Sequence, residues 1–187
     1  MVSGILLAAG CSTRFGNQKL LHPLPTGIAM GVAALRNLRL AIQRVVVVVR
    51  AGDAILTELL AKEGAMVTPC RDAGLGLSAS LIAGIRAVRD EDGWVIALAD
   101  MPYIRPETIV QVATNIENGA ALTAPVYHGR RGHPVGFAKE FYGELIKLTG
   151  DRGAQSLLEV YSDRLVLLTC DDPGVIKDID TPEDFHD

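Results

Sequence analysis

The sequence has 187 residues, 49% of them hydrophobic, and a formal net charge of −4 at pH 7. This apolar fraction suffices for a buried core and the length suits one domain, so we expect a single domain over residues 1–187. The acidic balance argues against a nucleic-acid binder, which needs a basic face. Because no apolar run reaches the ~18 residues of a membrane span and no secretory signal is recognisable, we expect a cytoplasmic protein without membrane contacts.

The first predicted strand, Val2 to Ala8, is apolar throughout, which is typical of a strand buried on both faces of a parallel sheet. It runs into a loop rich in glycine and hydroxyl residues. Glycine lets the backbone approach a ligand, and successive N–H groups in such a loop form a concavity that binds anions. Arg14 and Lys19 add a guanidinium and an ammonium suited to phosphate. The loop predicts phosphate binding, although its spacing matches neither the dinucleotide fingerprint nor the P-loop.

Helical and strand patterns then alternate along the chain. Helices are predicted at residues 28–40, 106–118 and 141–148, and strands at residues 45–49, 65–68, 94–99, 121–125 and 165–169. Two more helices are predicted without fixed bounds, one after an N-cap at Asp53 and a short one that contains Leu157, Leu158 and Val160. Such alternation predicts a mostly parallel α/β sheet flanked by helices. Another helix opens after Asp72, where Gly76 and Ser78 could bind an anion or a base edge, or Ser78 could simply cap the helix.

Asp100 falls directly after the predicted strand at residues 94–99. In open α/β sheets, ligands bind beyond the carboxyl ends of the strands, at the same edge as the first loop. A carboxylate there is a candidate metal ligand. The alternative is a turn or helix cap.

Two further stretches carry polar side chains. Residues 127–134 predict a β-hairpin that returns through residues 135–138, in which His133 could be either a ligand contact or a side chain bonded to the backbone. Asp178 and Asp180 flank Ile179, and this alternation places both carboxylates on one face of an extended strand. If they meet Asp100 the three charges repel one another unless a cation is present. A solvated strand edge remains the alternative.

Four motifs together resemble the nucleotidyltransferases with a GT-A-like, Rossmann-like fold. The first loop, residues 7–21, and Leu98-Ala99-Asp100-Met101-Pro102 are similar to the signatures of that superfamily. The third motif, Gly132-His133-Pro134-Val135-Gly136-Phe137, and residues 150–154 narrow the resemblance to the molybdenum cofactor cytidylyltransferases. The fourth motif is Asp178-Ile179-Asp180-Thr181-Pro182-Glu183-Asp184.

The resemblance implies transfer of CMP from CTP to the phosphate of molybdopterin or its molybdenum form, with release of pyrophosphate. It implies Mg²⁺ as the cofactor, with Asp100 and either Asp180 or Asp178 as metal ligands, and catalytic roles for Arg14, Lys19 and Asp100. The implied nucleotide-binding residues are Leu7, Ala8, Ala9, Gly10, Ser12, Thr13, Arg14, Lys19, Gly76, Ser78 and Ser80. The implied acceptor-binding residues are Gly132, His133 and Pro134.

Two alternatives stay open. One is a nucleotidyltransferase that uses another NTP, or a sugar or polyol phosphate as acceptor. The other is a non-catalytic chaperone that binds the pterin or the nucleotide during maturation of a recipient molybdoenzyme. The sequence also departs from the family pattern at Gln155, where arginine is frequent.

Overall fold

A central sheet of eight described strands organises the protein. The structure is a computed structural model that describes residues 1–10, 15, 18–181 and 184. The strands run in the order β3-β2-β1-β4-β7-β5-β6, and β8 also pairs with β5. Their bounds are β1 (Val2–Ala8), β2 (Val45–Arg50), β3 (Met66–Cys70), β4 (Gly93–Leu98), β5 (Leu122–Tyr127), β6 (Arg130–Arg131), β7 (Val135–Ala138) and β8 (Leu165–Thr169).

The sheet is parallel through β3, β2, β1 and β4, and β5 and β8 are parallel to each other. Strand β7 lies antiparallel between β4 and β5, since the chain returns there through the hairpin. The predicted fold class, a mostly parallel α/β sheet with one hairpin excursion, is therefore confirmed.

Helices cover both faces of this sheet. Their bounds are α1 (Met30–Ala41), α2 (Ala54–Lys62), α3 (Leu77–Ala87), α4 (Pro106–Glu117), α5 (Tyr142–Leu145) and α6 (Gln155–Val160). Because successive strand residues point to opposite faces, Leu6 packs in the cluster with α1, α2 and α4, whereas Ile5 and Leu7 pack in the cluster with α3, α5 and α6. None of the helices in the described part of the chain combines the length and apolar composition needed to cross a membrane.

Two predicted elements differ from the structure. The helix predicted at residues 141–148 is α5 alone, preceded by a 3₁₀ turn at Lys139–Phe141. The amides of Lys147 and Leu148 donate to carbonyls three residues earlier, which tightens the chain into turns and ends the helix.

The strand predicted around Asp178 and Asp180 is also wrong, because residues 177–180 join no strand of the sheet. The alternation of polar and apolar residues that suggested a strand reflects Ile179, which is fully buried in the core between two more exposed aspartates. Its amide donates a 3.0 Å hydrogen bond to the carbonyl oxygen of Asp100. This single bond fixes the segment beside the end of β4. Most of the helix predicted after Thr181 lies outside the described residues.

Candidate functional site

A cleft of about 360 Å³ opens at the edge of the sheet where the parallel strands end. This is the position at which open α/β sheets bind their ligands. We call it the sheet-edge cleft. Its described lining consists of Leu7, Ala8, Ala9, Gly10, Phe15, Lys19, Leu20, Ala73, Gly76, Leu77, Ser80, Leu98, Asp100, Asp151 and Asp180.

Lys19 joins two carboxylates in this cleft. Its Nζ atom lies 3.0 Å from Oδ2 of Asp100 and 3.1 Å from Oδ1 of Asp180. The Lys19 side chain is only 6% exposed, whereas the Asp100 and Asp180 side chains are 31% and 34% exposed. Lys19 comes from a 3₁₀ turn at Lys19–Leu21, Asp100 follows β4, and Asp180 comes from the C-terminal segment. Three distant parts of the chain therefore converge on one ammonium group.

Asp184 holds the backbone at Asp180 in place. Its Oδ2 atom accepts hydrogen bonds from the amides of Asp180 at 2.8 Å and Thr181 at 2.7 Å, and from the Thr181 hydroxyl at 3.2 Å. The bonds from the Thr181 and Asp180 amides lower the pKa of the Asp184 carboxyl below its usual range. An acid three residues after threonine often accepts in this way at the start of a helix. The contact fixes the backbone from which the Asp180 carboxylate reaches Lys19.

The described charges of the cleft suit a divalent cation. Three carboxylates, those of Asp100, Asp151 and Asp180, line the cleft with Lys19, and this balance would repel a triphosphate that arrived without cations. Among the described side chains no group of three or more His, Cys, Asp or Glu residues forms a ready-made metal cage. Mg²⁺ is commonly bound through one or two carboxylates together with substrate phosphates and water. Asp100 and Asp180, already gathered around one positive charge, fit that kind of site.

The structure brings most of the predicted nucleotide-binding residues into this cleft. They are Leu7, Ala8, Ala9, Gly10, Lys19, Gly76 and Ser80. Ser12, Thr13 and Arg14 lie outside the described residues, so the predicted guanidinium contact stays a prediction. Ser78 does not line the cleft: its hydroxyl is buried without a described partner beside a different cavity, because the helical turn points it away from Ser80.

Sequence reasoning did not select six of the lining residues. They are Phe15, Leu20, Ala73, Leu77, Leu98 and Asp151. Leu98 is the first residue of the Leu98-Ala99-Asp100-Met101-Pro102 motif, and Asp151 belongs to residues 150–154, so the sequence pattern pointed to both stretches. Phe15 and Leu20 lie within the first-loop motif, whereas Ala73 and Leu77 belong to no quoted motif and have side chains typical of any core.

A second cavity, of about 340 Å³, adjoins the first, and we call it the hairpin cavity. Leu7, Leu77, Leu98 and Asp151 line both spaces. The hairpin cavity is otherwise formed by residues 131–133 of the hairpin, by residues 152–155, and by apolar side chains of the sheet and α6. Two motifs that lie far apart in sequence, the hairpin and residues 150–154, thus meet at one space. Pro134 is buried and does not line it.

His133 presents an uncharged ring to its surroundings. Burial lowers the pKa of the imidazole, and the charge of Arg131 adds to this effect, while the carboxylates of Asp100 and Asp178 and a backbone hydrogen bond to Ile96 oppose it. The Nδ1 atom is buried and has no hydrogen-bond partner among the described residues. The hairpin cavity therefore has a neutral hydrogen-bonding group beside its apolar wall.

Glu159 accepts hydrogen bonds from two polar side chains of the hairpin cavity, those of Arg152 and Gln155. The guanidinium of Arg152 donates to both carboxylate oxygens of Glu159 at 2.7 Å, and the Gln155 amide donates to the same carboxylate at 3.1 Å. This hydrogen bonding holds the Arg152 side chain in one direction.

The lining of the sheet-edge cleft contains a tight backbone contact at Gly76. Gly76 has φ of +109°, and a β-carbon there would overlap the backbone of Gly150. The Ser78 amide donates to the Gly150 carbonyl at 3.1 Å. Glycine at position 76 is required by both its φ and this close approach.

Comparison with known proteins gives a consistent family assignment. The family model described as MobA-like NTP transferase domain matches residues 4–167. Three curated relatives align over nearly the whole chain. The purine catabolism protein PucB of Bacillus subtilis is 31% identical, covering 97% of this chain and 93% of the relative. The molybdenum cofactor cytidylyltransferase of Escherichia coli is 26% identical, covering 97% and 92%. Nicotine blue oxidoreductase of Paenarthrobacter nicotinovorans is 26% identical, covering 99% and 95%.

Solved structures agree with this assignment. The crystal structure of Rv0371c of Mycobacterium tuberculosis in complex with manganese superposes with a TM-score of 0.82 at 26% identity, covering 99% of this chain and 96% of that one. The backbone similarity thus extends over the sheet and both cavities.

Proposed function

The chain belongs to the MobA-like NTP transferase domain family, and we propose that it transfers CMP from CTP to the phosphate of molybdopterin or of its molybdenum form. The observation that carries this proposal is the convergence of Lys19, Asp100 and Asp180 in a cleft that shares a wall with the hairpin cavity. One space would hold the donor and the other the acceptor. The choice of CTP is supported by the cytidylyltransferase relative. It is also supported by the resemblance of the first loop, whose Leu7-Ala8-Ala9-Gly10 is the form that accompanies cytidine in the resembled family.

Nucleotidyl transfer needs no covalent enzyme intermediate. An acceptor phosphate oxygen forms a bond to the α-phosphorus of CTP, the bond from that phosphorus to the bridging oxygen breaks, and the electron pair leaves on pyrophosphate. The protein contributes by positioning the two anions and by balancing their charge. In this proposal Lys19 holds the triphosphate, and the backbone at Ala9 and Gly10 lies against the nucleotide.

Asp100 and Asp180 are the residues that we assign to a divalent cation, Mg²⁺ in our proposal. Once bound, such an ion supplies positive charge to the phosphate oxygens as negative charge develops on them. The manganese complex of Rv0371c, a relative in fold and sequence, supports this assignment. Asp178 is exposed and has no described contact with Lys19, so we assign the second ligand to Asp180.

The acceptor would lie in the hairpin cavity. The neutral His133 ring and the apolar side chains beside it suit an uncharged heterocycle, and the guanidinium of Arg152 suits the phosphate that attacks CTP. Gly132 forms part of the same wall. Asp151 lines both spaces, and we expect it to lie at the boundary between the two substrates.

A second candidate is the same chemistry with another NTP or another phosphorylated acceptor. It is favoured by the names of the relatives, since a purine catabolism protein is more similar in sequence than the cytidylyltransferase. Both candidate functions need the same donor site in the sheet-edge cleft.

The deciding experiment measures pyrophosphate release by the purified protein with Mg²⁺ and each NTP in turn, with and without molybdopterin. We expect release only with CTP and molybdopterin together. Release with another NTP, or with sugar or polyol phosphates, would support the second candidate. Tight binding of the pterin without release from any NTP would contradict the enzymatic proposal and indicate a chaperone.

A further inference from the structure

The Lys19 ammonium occupies the position between the two carboxylates that the proposed function assigns to the metal. Its Nζ atom is within 3.1 Å of an oxygen of both Asp100 and Asp180. Among the described residues that line the sheet-edge cleft, Lys19 is the only cationic one. With a side chain 6% exposed, it is enclosed in the cleft and does not extend into solvent.

A divalent cation and this ammonium cannot occupy that position together. Ligand oxygens lie about 2.1 Å from Mg²⁺, so an ion held by both carboxylates would fill the space where Nζ now lies. Two positive charges so close in a partly buried site would also repel each other strongly. Lys19 must therefore move before the ion can bind both Asp100 and Asp180.

An incoming triphosphate offers the Lys19 ammonium new anionic partners in place of the two carboxylates. Lysine has a flexible four-carbon chain and a charge without directional preference, so it can turn from carboxylates to phosphate oxygens at little cost. The triphosphate brings several negative charges into the cleft and can therefore satisfy both cations at once. Without it, a divalent ion that displaced Lys19 would leave the ammonium buried and unpaired, which is costly.

We propose that Lys19 holds the cation position in the free protein and yields it to a divalent ion only when a nucleoside triphosphate enters. The metal and the nucleotide then load as a unit, and the free protein binds the metal weakly. This proposal rests on the proposed function for the identity of the two metal ligands. Its distinctive consequence is that removing Lys19 should strengthen metal binding in the absence of nucleotide.

The test is a Mn²⁺ titration of nucleotide-free, chelator-treated protein, in which electron paramagnetic resonance reports the free ion. We expect Lys19→Met to bind Mn²⁺ at least about tenfold more tightly than the unaltered protein, because the competing ammonium is gone. Lys62→Met is the matched control, since it removes the same charge from an exposed Lys–Glu pair on α2. The control should bind Mn²⁺ like the unaltered protein.

Removal of the ammonium leaves two carboxylates side by side, so folding needs an independent check. The melting temperature of Lys19→Met is measured with and without Mn²⁺, and Lys19→Gln, which keeps a hydrogen-bond donor, is titrated in parallel. We expect Mn²⁺ to raise the melting temperature of both variants more than that of the unaltered protein. In the unaltered protein, a non-hydrolysable CTP analogue should bind at least about tenfold more tightly with Mn²⁺ than without it.

These results separate the two proposals. If neither variant binds Mn²⁺ more tightly while Asp100→Asn abolishes pyrophosphate release, the exchange is wrong and the proposed function stands. If Lys19→Met gains affinity and the gain survives in a Lys19→Met, Asp100→Asn double variant, Asp100 is not a metal ligand and the metal assignment of the proposed function fails. If the gain disappears in the double variant, both proposals are supported.

Discussion

The sheet-edge cleft and the hairpin cavity share a wall but are built by different forces. The cleft is assembled by charge: Lys19 draws in Asp100 and Asp180 from positions 81 and 161 residues away in the sequence. The hairpin cavity is assembled largely by packing, because apolar side chains of the sheet, α3 and α6 form much of its described wall. Its polar groups are the neutral ring of His133, the Arg152 guanidinium paired with Glu159, and the charged side chains of Arg131 and Asp151.

This difference matches the two tasks of a transferase. The donor chemistry is a balance of charge around a triphosphate, and few side-chain arrangements provide it. The acceptor is recognised by shape and by a few polar groups, which can change without disturbing the donor side. Relatives at 26–31% identity carry names as different as purine catabolism protein and molybdenum cofactor cytidylyltransferase, as such a division would permit.

The largest effect should follow from neutralising one carboxylate of the cleft. We expect Asp100→Asn and Asp180→Asn each to lower kcat/KM for pyrophosphate release by about a thousandfold, or about 4 kcal/mol, because metal binding is lost. The matched control is Asp178→Asn, two residues from Asp180, which should stay within about twofold. A loss in Asp178→Asn with little change in Asp180→Asn would show that the second ligand is Asp178.

The hairpin cavity should be sensitive to added volume where the cleft is sensitive to charge. A β-carbon at Gly132 would overlap the carbonyl of Val175, so Gly132→Ala should lower the free energy of unfolding by about 3 kcal/mol. Gly143→Ala on α5 is the control: a β-carbon there meets no atom within 4 Å, and the expected change is within 1 kcal/mol. Urea denaturation measures both. Equal stability of the two variants would contradict the packing argument.

The parallel part of the fold could be predicted because its signals are local. A run of five valines by itself predicts a buried strand. The ends of parallel strands lie at one edge of the sheet. We could therefore expect Lys19 and Asp100, which follow two such strands, at the same edge. The hairpin was also predictable from its glycines. These inferences need only the order of the strands and helices along the chain.

What the sequence could not provide depends on side-chain direction and long-range contact. The ion pairs of Lys19 join residues that no local pattern relates. Ser78 points away from the cleft because it lies two residues before Ser80, on the other side of α3. The ion pair between Arg152 and Glu159 could not be predicted either, although residues 150–154 were singled out as a motif. The early end of α5 follows from turns at Lys147 and Leu148 that apolar spacing does not encode.

A smaller effect should distinguish the acceptor side from the donor side in kinetics. We expect Arg152→Met to raise KM for the acceptor about tenfold, since one charged hydrogen bond to its phosphate is lost, and to leave KM for the nucleotide unchanged. Arg164→Met is the control, because Arg164 forms a similar ion pair with Glu140 away from both cavities. If KM for the nucleotide rises instead, Arg152 serves the donor and the division between the two spaces is wrong.

The smallest effect tests whether the acceptor side keeps a neutral imidazole. Because burial lowers the pKa of His133 below the ordinary imidazole value of 6.5, the unfolded chain takes up a proton at a higher pH than the folded protein does. The stabilisation from this group is therefore fully present above about pH 6.5 and is lost as the pH falls toward the lower pKa of the folded state. The loss approaches at most about 1.4 kcal/mol for each pH unit in that window.

Replacing the ring by an amide should remove this dependence. We expect the free energy of unfolding of His133→Gln to fall less between pH 7 and pH 5.5 than that of the unaltered protein, in urea titrations with a chelator present. Asp100, Asp178 and Arg131, the charged groups that act on the ring, are common to both proteins, so the difference between the two pH profiles isolates His133. Parallel profiles would mean that the ring is protonated as easily in the folded state as in water, and the hairpin cavity would then be charged like the cleft beside it.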